Sequence, residues 1–171
     1  MKKVFSVLAV AALVLVITGC TPQEKTLSDY LTQQTKGWVL SSATSSPAYQ
    51  MSNGEFVSDL VNGGYLYDWE KEYVIIFNEN GSEIVKPGKT VAPSAEQGYI
   101  AETSLGNWTI TETAAGDILE MQVPFFMDDE KEVCRIISLN DNELKVNCTI
   151  NDDPVVSKGT YTFTLTFVPA K

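Results

Sequence analysis

The side chains that could do chemistry in this chain are carboxylates and cysteines, because the sequence contains no histidine. Without imidazole there is no histidine base, no histidine-activated nucleophile and no histidine-bound zinc. The densest carboxylate groups are MDDEKE at 127–132 and NDD at 151–153. Neither has the spacing of an EF-hand calcium loop, and both fall at predicted turns. We therefore predict no catalytic residue, no metal site, no cofactor and no enzymatic activity, although chemistry by a carboxylate pair stays open.

The N-terminal residues predict an export signal. Lys2 and Lys3 precede an apolar run of about fourteen residues, from Val4 to Ile17, interrupted only by Ser6. As a helix this run would span about 21 Å, which is less than the roughly 30 Å of a bilayer's hydrocarbon core. The length favours the apolar part of a signal peptide over a membrane-spanning helix.

The run ends in ITGC at 17–20, an aliphatic residue and two small residues before a cysteine. This motif resembles the lipobox of bacterial lipoproteins. The resemblance implies that residues 1–19 are removed as a signal peptide and that Cys20 becomes acylated, so that it anchors the chain in membrane lipid. Several acyl chains suit stable anchoring, because one chain binds only marginally. Thr21 is not the aspartate that retains such proteins in the inner membrane, so the resemblance favours the outer membrane, on a face that stays open. An ordinary signal peptide with a chance cysteine is the alternative.

Length and charge limit what the rest of the chain can be. After a tether at 20–25, residues 26–171 are enough for one domain with its own core. The formal net charge is −10, and the sole arginine is Arg135. Because a nucleic-acid site needs clustered basic residues, we expect no nucleic-acid partner.

The pattern of apolar residues predicts one short helix followed by strands. Thr26 and Asp29 form a predicted capping box, and Gly37 is a candidate helix stop. After the helix, apolar residues alternate with polar ones, and turn residues separate the strands. The eight predicted strands are 37–43, 72–79, 82–86, 107–113, 117–125, 132–139, 143–150 and 160–168. This all-β antiparallel meander could close into a barrel or split into a sandwich.

Two cysteines remain after Cys20 is assigned to lipid. Cys134 and Cys148 lie on either side of a predicted hairpin turn and, in an oxidising compartment, form a candidate disulfide. Two buried free thiols are the alternative. In the strand 132–139 the apolar residues change parity, so that the two cysteines can share a face only if the strand contains a bulge. The bond and the bulge are therefore one linked prediction.

The ordered set of stretches GWVLSSA, YVIIFNENGS, LGNWTIT, ISLNDNELKV and GTYTFTLTF resembles the lipocalin-like lipoproteins of gut Gram-negative bacteria. The resemblance covers most of 36–168. It implies an eight-stranded up-and-down barrel with Trp38 near its closed end and a mouth beneath the long first connection. Members of this family mostly have no assigned function.

Two sets of large side chains are candidate binding residues. The candidates for the barrel interior are Trp38, Trp108, Met121 and Phe163, and those for the rim are Tyr65, Tyr67 and Trp69. We expect a non-enzymatic module that binds a small apolar ligand at the mouth. The alternative is a filled barrel, plugged by the rim rings, that contacts another envelope protein.

Overall fold

The computed structural model describes residues 24–51, 53–126, 131–153 and 157–171. The signal segment 1–19 and the proposed lipidation site Cys20 lie outside these ranges, as do four residues of the acidic group 127–132. No helix among the described residues is both long and apolar enough to cross a membrane.

The short N-terminal helix, α1, covers Leu27–Thr32 and begins at the predicted capping box. The Asp29 N–H donates to Thr26 Oγ1 at 3.1 Å, and the Thr26 N–H donates to Asp29 Oδ2 at 2.7 Å. The chain then turns at Gly37, which has φ +89°. The backbone passes so close to Ile75 that a Cβ on residue 37 would lie 2.6 Å from the Ile75 carbonyl oxygen. Glycine is therefore required where the helix meets the sheet.

The sheet contains ten strands and is accompanied by a 3-10 helix at Glu70–Glu72. The strands are β1 Trp38–Gln50, β2 Phe56–Asp59, β3 Val74–Phe77, β4 Ser82–Lys86, β5 Thr103–Asn107, β6 Thr109–Thr111, β7 Ile118–Met121, β8 Glu132–Leu139, β9 Leu144–Asp153 and β10 Ser157–Pro169.

These strands form an antiparallel, nearly closed barrel. The order across the sheet is β5-β4-β3-β1-β10-β9-β8-β7-β6, and β2 is added beside β1. The first and last strands of this order, β5 and β6, are separated only by Trp108 and form one continuous pass of the chain. β5 pairs with β4 and β6 pairs with β7, so this pass joins the two edges of the sheet. The ten strands therefore represent eight consecutive passes and the added β2. The eight-stranded antiparallel up-and-down barrel with a short N-terminal helix is confirmed.

The meander gives the barrel two different ends. At one, called here the helix end, α1 lies with the short turns β3–β4, β6–β7 and β8–β9. At the other, the loop end, lie the long connections that leave β1 and β4 and the segment that leaves β7. The loop end is thus the side that the sequence analysis expected to form the mouth.

Alternating residues of the long C-terminal strands fill the core. In β10 the inward residues are apolar and 0 to 6% exposed, and threonines lie between them; the inward set is Tyr161, Phe163, Leu165 and Phe167. In β9, Leu144, Val146 and Cys148 are fully buried. The predicted inward face of both strands is confirmed.

The structure joins Cys134 of β8 to Cys148 of β9 by a disulfide, and the two residues are direct cross-strand partners. The register shifts between Ile136 and Ser138, and Ile137 is 49% exposed. Cys134 before the shift and Leu139 after it both pair with buried residues of β9, so the bulge lets both face inward. Bulge and bond occur together, as the argument from parity requires.

Candidate functional site

The four candidate interior residues meet in one packed core. Trp38 and Met121 are fully buried, Phe163 is 1% exposed and Trp108 is 7% exposed. All four belong to the same apolar cluster. Trp38 lies at the helix end, where its indole N–H donates to the Leu31 carbonyl at 2.9 Å. The core they belong to contains several ring contacts, among them those of Phe163 with Phe126 and of Trp108 with Phe77.

The three candidate rim residues do not face one site. Tyr65 is partly buried against the main core, and its ring meets that of Tyr49 edge to face at 5.2 Å. Tyr67 and Trp69 instead stack with their ring centres 4.6 Å apart and their planes within 8°. One of the three rings therefore folds inward, and the other two form a separate pair.

The stacked pair rests on buried residues. Trp69 packs on a second apolar cluster, formed by Tyr73, Val85 and Leu105. The Tyr67 N–H donates to Glu70 Oε2 at 2.8 Å, and burial raises the pKa of this carboxyl. Tyr67 nevertheless remains 55% exposed. The result is a flat aromatic face that is stacked on Trp69 and open to solvent at the loop end.

A segment of the β7–β8 connection fills the mouth from above. We call residues Gln122–Phe126 the plug. Its Val123, Phe125 and Phe126 are 1, 4 and 7% exposed, although none of them lies in a strand. The Phe126 ring lies 5.2 Å from that of Phe163, in the barrel core. The sequence analysis expected a strand through 125; Pro124 has no N–H to donate, and the chain turns through a bond from the Phe126 N–H to the Val123 carbonyl at 3.0 Å.

One polar residue inside the barrel was missed by the sequence analysis. Glu83 of β4 is 0% exposed, and its Oε2 accepts a hydrogen bond from the Gln122 N–H of the plug at 3.0 Å. Its Oε1 is buried and has no hydrogen-bond partner among the described residues. Burial raises the pKa of Glu83 to about 8, although the Gln122 N–H and the positive charge of Lys131 both oppose that rise.

Glu83 lies where the two apolar clusters meet. It pairs across the strands with Phe77, which belongs to the main core, and the next inward residue along β4 is Val85 of the second cluster. The turn between β3 and β4 is the sequence signal that could have identified Glu83 as an inward residue. It sets the pairing of the two strands, and this pairing places Glu83 on the same face as Phe77.

The described residues hold no group of three or more cysteine, aspartate or glutamate side chains placed to bind a metal ion. What the site offers is apolar contact and hydrogen bonding: the Tyr67 face outside, and the Glu83 carboxyl beneath the plug. Fold and site together define an up-and-down antiparallel β-barrel with an aromatic rim. Comparison with family models, curated proteins and solved structures gave no match.

Proposed function

We propose that this protein is a lipoprotein of the bacterial outer membrane, anchored through acylated Cys20, whose barrel binds a small apolar or aromatic molecule without transforming it. The anchoring part rests on the ITGC motif that follows the apolar N-terminal run. The binding part rests on the loop end of the barrel, where the long connections and the aromatic rim lie. Neither a cofactor nor a nucleic acid takes part.

The observation that carries the binding proposal is the stacked pair of Tyr67 and Trp69. A tyrosine that is 55% exposed would ordinarily move freely, but this ring is held parallel to Trp69, which is itself braced by the second cluster. A ligand with a flat apolar face can cover it with little further loss of side-chain entropy. Such a stacking contact contributes about 0.5–1.5 kcal/mol beyond the burial of apolar area.

A second candidate function is supported by the packed interior. The barrel core is filled with rings, and Phe56 on the added strand β2 is 66% exposed. A solid barrel that contacts another envelope protein through such residues would need no small ligand. The two functions differ in whether a small molecule stays with the purified protein.

Native mass spectrometry of the mature lipoprotein, released from detergent, tests the proposal. We expect a small mass that accompanies the wild-type chain, disappears on denaturation and is lost from Tyr67→Ala. The matched control is Tyr30→Ala, since Tyr30 lies in α1 at the opposite end of the barrel. A wild-type chain that carries no small mass, or a mass that Tyr67→Ala retains, would contradict binding at the rim and favour the filled barrel with a protein partner.

A further inference from the structure

Glu83 is the residue whose position the barrel alone does not explain. Burying a polar atom without a hydrogen bond costs about 1–3 kcal/mol, and a buried charge costs more. Inward positions of a small barrel are ordinarily apolar, as they are in β9 and β10. In this barrel one inward position carries a carboxyl group, and one oxygen of it has no partner among the described residues. Unsatisfied buried groups of this kind are concentrated at functional sites.

The plug makes two kinds of contact inside the barrel. It offers a hydrogen-bond donor, the Gln122 N–H, to one oxygen of Glu83, and an aromatic ring, Phe126, to the Phe163 ring of the core. Among the described residues, the plug pairs with no strand. It therefore occupies the barrel as a bound molecule would, with a polar contact and a ring contact.

We infer that Glu83 is the polar anchor of an interior binding site, and that its occupant is a small apolar molecule bearing a hydroxyl group, which takes the place of the Phe126 ring inside the barrel. This inference rests on the proposed ligand-binding function and names the chemistry of the ligand. The apolar body would contact Phe163, and the hydroxyl would bond to Oε1 of Glu83.

A hydroxyl fits this oxygen better than an ammonium group does. With a pKa of about 8, the Glu83 carboxyl is mostly uncharged at neutral pH, so its unpartnered oxygen needs a group that accepts a hydrogen bond. An ammonium group only donates and would require the buried carboxyl to ionise. A hydroxyl both accepts and donates, so it satisfies the carboxyl in either state.

The test compares 2-naphthol with naphthalene, two probes with the same apolar body and with or without a hydroxyl. The full lipidated chain is held in lipid nanodiscs, and bound probe is measured by equilibrium dialysis against empty nanodiscs. We expect wild type to bind 2-naphthol about tenfold more tightly than naphthalene, which is the effect of one hydrogen bond. Glu83→Leu should abolish this preference, while Glu83→Gln, whose amide also donates and accepts, should retain it.

The space occupied by the probe is tested by Phe126→Ala, which removes the competing ring and should tighten binding of both probes about tenfold. Unchanged binding in Phe126→Ala would overturn the placement of the ligand in the space of the Phe126 ring. If wild type does not prefer 2-naphthol to naphthalene, or if Glu83→Leu keeps that preference, Glu83 is not the anchor of the hydroxyl group. The oxygen of Glu83 would then bond to water only.

The variant Tyr67→Ala separates this inference from the proposed function. If Tyr67→Ala alone loses both probes and Glu83→Leu binds them as wild type does, the rim site stands and the interior site is refuted. If wild type binds neither probe, both are refuted.

Discussion

Glu83 should make the stability of this barrel depend on pH in a range where proteins without histidine ordinarily show little change. Its pKa is about 8 in the folded chain, against 4.5 for an ordinary glutamate. Between these two values the folded state holds a proton that the unfolded state has lost. The free energy of unfolding should therefore fall by about 1.4 kcal/mol for each pH unit of increase. The loss over the whole titration is about 5 kcal/mol, of which about 4 kcal/mol falls between pH 4.5 and pH 8, and little further change is expected above pH 8.

The substitution Glu83→Gln removes this titration and keeps a carbonyl that can accept from the Gln122 N–H. We expect the variant to match wild type within about 1 kcal/mol near pH 5, and to be more stable by several kcal/mol at pH 8. Urea unfolding at pH 5, 6, 7 and 8, followed by tryptophan fluorescence on a chain that begins at Thr21 and with the disulfide intact, measures the difference. Glu112→Gln, which changes an exposed glutamate at the helix end, is the matched control.

The chain has no histidine, so few other groups titrate in this window. Glu70, whose pKa burial also raises, contributes a slope of the same sign in both proteins and therefore cancels in the comparison. If wild type and Glu83→Gln lose stability in parallel from pH 5 to pH 8, burial does not raise the pKa of Glu83, and the prediction is refuted.

Three further predictions concern the core, the crosslink and the anchor. Phe163→Ala should lower the free energy of unfolding by about 3–5 kcal/mol in urea titrations, because it empties the centre of the core; a loss below about 1 kcal/mol, similar to that of the exposed-ring control Phe56→Ala, would contradict the packing. Reducing the Cys134–Cys148 bond, which joins residues 14 apart, should lower stability by about 3 kcal/mol in the same assay; equal unfolding midpoints with and without reductant would argue against that contribution. Cys20→Ser should move the chain from the membrane to the soluble fraction, and continued membrane attachment would mean that the lipobox was misread.

The strands were predictable because alternation is a local signal. In β10 four large apolar residues alternate with threonines, and the pattern alone identifies the buried face. The bulge in β8 could be predicted as well, because Cys134 and Leu139 need the same face although their spacing gives them opposite parity. The buried face of a strand and the bulge within it could therefore be predicted from the residues of that strand alone.

The candidate site was less predictable because it depends on contacts between elements. Tyr65, Tyr67 and Trp69 share one parity, yet the path of the loop sends the first toward Tyr49 and leaves the other two on a different cluster. Glu83 becomes visible only when the register between β3 and β4 is known. The burial of the plug depends on packing within the mouth, which no local pattern encodes.

The attachment of Lys25 to the helix end decides which way the barrel faces if Cys20 carries lipid. Lys25 Nζ donates to Asp141 Oδ1 at 2.7 Å and to Gln33 Oε1 at 2.6 Å, so this residue lies at the helix end, beside the β8–β9 turn and α1. Five residues of chain from Cys20 to Lys25 reach at most about 17 Å. The helix end would therefore stand close to the bilayer surface, and the loop end, with Tyr67 and the plug, would point into the aqueous space. A ligand would then arrive from water and not by lateral diffusion out of the lipid.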